Sequence, residues 1–404
     1  MQCDIAIVGG GMAGLTMAAM LAKQKQMSVM LFDAKPKRSH FHASFQDHRV
    51  SAFSLSSQRI FKSLNLWEKM SKERVSPFER IEVWDQSRNG HITFDSTEIN
   101  ERFFGFIIEN KLVESVLHDH LETTDVKIKT HVELQTLDDH DDAMHLTLSD
   151  GTFVKARLVI AADGANSLIR ELAKIKVTTY DYQQKGLVAT VSHEKPHDRI
   201  ASQYFLATGP LAFLPLQNPH ESSIVWTLPN ELADEYQHLS QDEFKSYLET
   251  LRDGRIKKQC DLLRANGDKE LGKIVEVSER FLFPFVYRNA RQYVKNRVVL
   301  IGDAAHTIHP MAGQGINMGL LDVLKLVEVL SACQFDLSQR IHRTLRQYER
   351  ARMTENSLML DGVHYLQRLF STEMKLIKRL TSVGLNMTNG CGWLKAMFAT
   401  RASL

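Results

Sequence analysis

Cysteine is scarce in this chain, and what there is does not cluster. Cys3, Cys260, Cys333 and Cys391 are the only four among 404 residues. They form no CxxC pair, so neither a disulfide framework nor a cysteine-based zinc site is expected, and a reducing compartment is the natural reading. Long apolar runs are missing too. No stretch approaches the ~18 consecutive apolar residues that a membrane-crossing helix needs. The apolar N-terminus carries Asp4 where a targeting segment would be basic, and Gly9, Gly10 and Gly11 interrupt it, so it reads as folded structure. Nor is there a surplus of one charge. The 50 Lys and Arg against 48 Asp and Glu leave a net of +2, which gives nucleic acid no electrostatic basis as a partner. Repeats and low-complexity segments are absent. What remains, 43% hydrophobic and 24% charged residues, is a globular composition in a chain long enough for two or three domains.

Residues 3 to 8 (CDIAIV) are an apolar run ending in glycines, 12 to 23 carry apolar residues at helical spacing, and 28 to 32 are apolar again. The pattern predicts a β-α-β unit with parallel strands buried on both faces. From Phe78 the periodicity changes to alternation in "RIEVWD" and "HITFD", with "RNG" as a hairpin turn between them. Helical spacing returns over 107 to 122, and a hairpin around "DDHDD" follows within 126 to 160. "ARLVIAADGANS" is a buried strand entering a glycine turn, and 185 to 230 alternate as several antiparallel strands. "RVVLIGDAAH" at 297 to 306 reads as one more strand of the first type, and the chain is nearly continuously helical from Gly315. An α/β unit interleaved with an antiparallel sheet is expected.

Gly9, Gly11 and Gly14 spell GxGxxG between a strand and a helix, and Asp33 closes the next strand. That context suits a dinucleotide: a tight turn, backbone close to a pyrophosphate at Met12 and Ala13, close helix packing, and a carboxylate for ribose hydroxyls. A glycine turn without ligand is the plainer alternative. "GDAAHTIHPMAGQGINMG", Gly302 to Gly319, supplies a second carboxylate and a second set of free amides at a helix start.

With Asp163-Gly164 between them, these motifs resemble the flavin-dependent aromatic hydroxylases related to p-hydroxybenzoate hydroxylase. "DHRVSAFSLSS", "GFIIEN" and "ARLVIAADGANSLIR" make the chain most similar to the ubiquinone-biosynthesis hydroxylases, and "LVATVSHEKPHDRIASQYF" with "GPLAFLPLQNPHESSIVW" to their 2-polyprenylphenol hydroxylase branch. The resemblance covers nearly the whole chain. Its departures are Asp33 where Glu is commoner and "GINMG" for "GLNLG".

The resemblance implies a Rossmann-like FAD-binding domain over 1–75, 105–178 and 281–335, an antiparallel-sheet substrate domain over 76–104 and 179–280, and a helical C-terminal region over 336–404. It also implies FAD as cofactor, dioxygen as co-substrate and NAD(P)H as a transient reductant, since only one complete GxGxxG exists. Asp33 would meet the adenosine ribose, Arg49 the pyrophosphate, Asp303 the ribityl chain, and Asp163 both flavin and nicotinamide. Gly313, Gln314, Gly315, Ile316 and Asn317 would offer amides to the isoalloxazine carbonyl edge, and the Pro310 carbonyl would accept the phenol proton. For Asp303 and Arg49 the plainer readings are a helix cap and a surface ion pair. Phe205, Phe213, Leu214, Leu216 and Trp226 would wall an apolar pocket for ring and tail, or simply form core.

His306 and His309 lack an evident third ligand and Pro310 breaks their register, so no metal is expected there. The acidic loop 138–142 with His140 and His145 reads as a solvated hairpin tip. Residues 340–404 hold eleven Lys and Arg against four acids, a local +7, interleaved with Leu366, Leu369, Phe370, Met374, Ile377 and Leu380. An interfacial helix at the inner membrane surface of an otherwise cytoplasmic protein and plain packing on the flavin domain both explain that stripe.

The implied activity is ring hydroxylation of a polyprenylated phenol by an oxygenated flavin, most like 2-polyprenylphenol 6-hydroxylation, with ubiquinone-biosynthesis proteins as partners. Hydroxylation at another ring position, a flavin-dependent lipid reductase or dehydrogenase, and a non-catalytic scaffold remain as alternatives.

Overall fold

A computed structural model of the protein describes residues 1–36, 47–84, 91–140, 142–256, 271–309, 313–337 and 341–370, with side chains for all but 251–256 and 366–370. The hydrophobic run at the N-terminus forms the strand Gln2–Val8, followed by the helix Met12–Gln24 and the strand Val29–Phe32, parallel to the first. Ile5, Ala6 and Ile7 lose all solvent contact because both faces of this strand are covered. Each large side chain so buried contributes about 1.5–3 kcal/mol.

Four parallel strands, Val298–Leu300, Phe153–Ala161, Gln2–Val8 and Val29–Phe32, lie side by side, with Lys127–Lys129 beyond the last. The hairpin of Leu134–Asp139 and Met144–Leu148 joins the same sheet through Phe153–Ala161. Parallel pairing has one consequence that governs the site. Val8, Phe32, Ala161 and Leu300 all end at the same sheet edge, so Gly9, Asp33, Asp163 and Asp303 emerge there together although they are spread over 295 positions.

A second sheet of nine strands runs in the order His306–Thr307, Phe281–Ala290, Val177–His193, Glu221–Pro229, Gly209–Pro215, Ile200–Leu206, Arg80–Trp84 and His91–Asp95, with Ile274–Val277 also on Val177–His193. It departs from the antiparallel expectation at one place, where Ile200–Leu206 pairs parallel with Arg80–Trp84. Phe281–Ala290, reached in sequence after the expected end of the substrate unit, is hydrogen-bonded into this sheet as well. The "RNG" turn lies outside the described residues.

Strand alternation gives the second sheet two unlike faces. Its outer face sends Leu187, Phe213, Ile224 and Trp226 into a core closed by Ala233 and Tyr236 of the helix Asn230–His238 and by Phe244 and Leu248 of the helix Gln241–Ile256. Its inner face turns toward the first sheet. Between the two lies a small sheet of Val50–Ser54, Gly105–Glu109 and Val75–Phe78. Residues 107 to 109, expected in a helix, complete that strand, and the helix Asn110–Leu121 begins directly after it. From Gly315 the helices Gly315–Ala332 and Ile341–Phe370 follow. Among the described residues no helix is long and apolar enough to cross a membrane.

Candidate functional site

One cavity of about 1040 Å³ opens between the strand-end edge of the first sheet, the small sheet and the inner face of the second. Gly9 turns the chain out of the first strand at φ 112°, and a Cβ there would sit 2.1 Å from the Ala162 carbonyl oxygen, so no other residue fits the turn. A Cβ on Gly14 would strike the Gly9 carbonyl oxygen at 1.9 Å, which explains a glycine that packs against the turn and does not line the cavity. Asp33 lies across this turn. Its Oδ2 would be 2.3 Å from a Cβ on Gly10. Gly11, Met12 and Ala13 line the cavity, and the helix they open has no side-chain cap, so its free amides face open space.

Asp163 and Asp303 come in from the next two strand ends, and both line the cavity. Asp163 accepts from Ser167 Oγ at 2.5 Å and from the Ile169 amide at 3.1 Å. Burial still pushes its carboxyl above the usual range. Asp303 is reached by solvent through the cavity, yet protein crowds it on its other sides. That burial raises its carboxyl against the pull of His306, Arg49 and Arg288. Arg170 straps the two loops together, donating to Ala304 O and Ala165 O, each at 2.9 Å.

Behind the Asp303 loop sits a buried ionic cluster that sequence reasoning missed. Asp322, fully buried, accepts from the Gly302 amide at 3.0 Å and from Arg352 Nε at 2.7 Å, and its Oδ2 lies 2.6 Å from His306 Nε2. Arg352 comes from the helix Ile341–Phe370 and also holds Asn356 Oδ1 at 2.6 Å. Burial alone would raise the Asp322 carboxyl, but the His306 and Arg352 contacts hold it below the usual range. His306 is thus tied into this cluster, and among the described residues no group of three side chains is arranged to hold a metal ion. One signal was available in the sequence: Asp322 stands among Met318, Leu326 and Val329, on the buried face of an apolar helix.

The segments "DHRVSAFSLSS" and "GFIIEN" clamp each other. Arg74 binds Glu109 by a fork, Nε at 2.5 Å and Nη2 at 3.0 Å, and Glu109 Oε2 takes the Asp47 amide at 2.8 Å. Asp47 in turn accepts from the amides of Arg49 and Lys111, both at 3.2 Å, and Ser51 Oγ donates to Asn110 at 2.7 Å. Arg49 is thereby fixed at the rim of the cavity, its guanidinium 5.0 Å above the Phe283 ring.

Gly313, Gly315 and Ile316 line the cavity, and the helix Gly315–Ala332 starts without a side-chain cap. Gln314 and Asn317 do not line it. Asn317 is buried and bonds the Ser54 amide, Ser57 Oγ and Ala52 O, tying this helix to the small sheet. Pro310 lies outside the described residues. His309, just before it, is buried edge-on against Tyr182 and Phe285, both at 4.9 Å, and burial lowers its imidazole to about 4.

Of the five residues read as a pocket wall, Leu214 lines the cavity and the other four do not. Register decides this. Pro210, Ala212 and Leu214 share the inner face with Val225 and Thr227, so the intervening Phe213 and Trp226 point outward into the helix-covered core. Leu216 packs with Phe78 and Ile107 beside the cavity, and Phe205 is buried one step beyond Gln203 on its strand. Ile81, Ile107, Ala201, Ser202, Gln203, Phe285, Thr307 and Ile308 also line the cavity on this side.

Two uncapped helix starts and three strand-end carboxylates around one elongated space suit a ligand with an anionic middle and polar ends. A family described as FAD binding domain matches residues 2–361. The chain belongs to it. Among its curated relatives are the ubiquinone hydroxylase UbiL of Rhodospirillum rubrum, 34% identical over 99% of this chain and 89% of that protein, and the 3-demethoxyubiquinol 3-hydroxylase of Escherichia coli, 32% identical over 97% and 96%. The solved structure of PqsL from Pseudomonas aeruginosa in complex with 2-aminobenzoylacetate superposes with a TM-score of 0.76 at 20% identity, covering 96% of this chain and all of that one. The fold is that of the FAD-binding monooxygenases, and the protein is an FAD-dependent monooxygenase.

The residues present fit FAD. The space in front of Gly11, where an added Cβ would meet nothing within 4 Å, lies at the free amides of the first helix and suits the pyrophosphate. Asp33, Asp303 and Gly315 line this same cavity, so two carboxylates would be available to the hydroxyls of such a ligand and a helix start to its carbonyl edge.

Proposed function

We propose that the protein hydroxylates the aromatic ring of a polyprenylated phenol in ubiquinone biosynthesis, most like 2-polyprenylphenol 6-hydroxylation. The single observation that carries this reading is the continuity of the cavity, which runs from the nucleotide edge at Asp33 to an apolar lobe lined by Phe78, Ile81, Ala212, Leu214 and Val225. A ring placed in that lobe would share one cavity with Asp303 and Gly313 and lie among apolar side chains. The relatives named as ubiquinone hydroxylases support the pathway.

Bound FAD would supply the redox chemistry, with NAD(P)H as the source of two electrons and dioxygen as the oxidant. One oxygen atom replaces a ring hydrogen as hydroxyl and the other leaves as water. The chain's own part is to bind, orient and dry the ring. Acceptance of the phenol proton by the Pro310 carbonyl rests on the resemblance alone. The basic residues of 340–404 favour contact with an anionic membrane surface, where such a substrate resides, and with other proteins of the pathway.

A second ring position is the competing reading, favoured by the 32% identity to a 3-demethoxyubiquinol 3-hydroxylase. Mass spectrometry of quinone intermediates in cells lacking this chain separates the two. Accumulation of unhydroxylated polyprenylphenol is expected; a later, methoxylated intermediate would move the reaction to the other position.

A further inference from the structure

The inner face of the second sheet is mostly apolar where it meets the lobe; Gln203 brings the one amide to it, beside the hydroxyls of Ser202 and Thr227. Gln203 pairs across the sheet with Ala212, and Ala212 with Val225, so these three side chains stand in a row on the cavity side. Ala201 and Leu214 flank the row. Ala212 is too short to cover the amide beside it. Gln203 is partly buried, lines the cavity, and makes no side-chain hydrogen bond among the described residues. In the open cavity the amide is within reach of water; a ring filling the lobe would displace that water, and a ligand oxygen or hydroxyl that met the amide would spare the cost of leaving it unpaired. Lys35, Arg49 and Lys111, the lysine and arginine residues that line the cavity, belong to the parts carrying the nucleotide edge and the small sheet.

We propose that Gln203 is a specificity-determining residue: its amide hydrogen-bonds the oxygen substituent of the aromatic substrate and, being uncharged, selects a neutral ring over a carboxylated one. This rests on the aromatic-substrate reading above. A neutral amide satisfies a hydroxyl with one good bond. A carboxylate in the same place would be a buried anion facing Ala201, Ala212, Leu214 and Val225 with no cation to pair it. Discrimination of this kind comes from the polar group that the wrong ligand leaves unpaired, which is why one side chain can set it.

The test is titration of the FAD-loaded protein with three probes, 2-prenylphenol, prenylbenzene and 3-prenyl-4-hydroxybenzoate, followed by the change in flavin absorbance. Wild type is expected to bind 2-prenylphenol most tightly. Q203L, with Q203M as the less intrusive second variant, is expected to lose about three- to tenfold for 2-prenylphenol and to bind prenylbenzene as wild type does. Q203R is expected to shift preference toward 3-prenyl-4-hydroxybenzoate. Equal weakening of both uncharged probes would reduce Gln203 to packing, and unchanged binding of all probes would remove it from the site; either overturns the proposal. So would a wild-type preference for the carboxylated ring. A wild-type flavin spectrum that responds to none of the three overturns the aromatic-substrate reading itself, and the assignment of Gln203 falls with it.

Discussion

Replacing Arg352 with Met removes the cation from the most deeply buried ionic cluster among the described residues while keeping most of the side chain's volume. Arg352 is 4% exposed and Asp322 is fully buried. The substitution deletes the 2.7 Å bond to Asp322 and the 2.6 Å bond to Asn356, and leaves the Asp322 carboxylate with His306, the Gly302 amide and Asn356. Its contact with Glu355 adds little, because that carboxylate is largely in solvent. Breaking a buried pair from one side costs about 3–5 kcal/mol, since the remaining charge stays desolvated. That is a large share of the roughly 5–15 kcal/mol by which native domains are stable.

The cost reaches the cofactor as well, because Asp322 anchors the amide of Gly302, whose φ of 58° shapes the Asp303 turn. We expect R352M to lower the urea midpoint by the equivalent of about 3 kcal/mol or more, and to release FAD more readily on dilution, read as recovered flavin fluorescence. The effect carries a pH signature. Asp322 is held below its ordinary value, so the stability of its ionised form is present above the unfolded carboxylate range near 4 and is lost as pH falls through the depressed folded value. In R352M that loss should begin at higher pH. A variant within about 0.5 kcal/mol of wild type, with unchanged FAD retention and acid profile, would refute the reasoning.

Asp303→Ala should weaken FAD retention without lowering thermal stability of the apoprotein, measured by flavin content after gel filtration and by melting; full occupancy would remove Asp303 from the site. Phe213→Ala and Leu214→Ala are neighbours that should part company. The first should cost about 3–5 kcal/mol of stability and leave affinity for 2-prenylphenol alone, and the second should change that affinity, both read by denaturant melts and flavin absorbance titrations. His309, lowered by burial from its ordinary value near 6.5 to about 4, binds its proton less readily folded than unfolded. Stability is therefore full above pH 6.5 and falls as pH drops toward 4. His309→Gln should flatten part of that decline, by up to about 3 kcal/mol, in melts taken between pH 7 and 4; an unchanged slope would show that other groups cause it.

What the sequence determined by itself was local. The GxGxxG turn, the carboxylate at the end of the next strand and the second glycine-rich helix start are legible because strand and helix periods are short and the turn chemistry at Gly9 tolerates no side chain. Two kinds of fact were decided only by the tertiary structure. Whether Phe213 or Leu214 faces the ligand depends on which side of the sheet the helices Asn230–His238 and Gln241–Ile256 cover, and alternation alone is symmetric between the faces. The pairings of Arg352 with Asp322 and of Glu109 with Arg74 and Asp47 join residues 30 to 62 positions apart. No periodicity encodes them, because such contacts exist only once parallel strands and packed helices have brought distant segments to the same place.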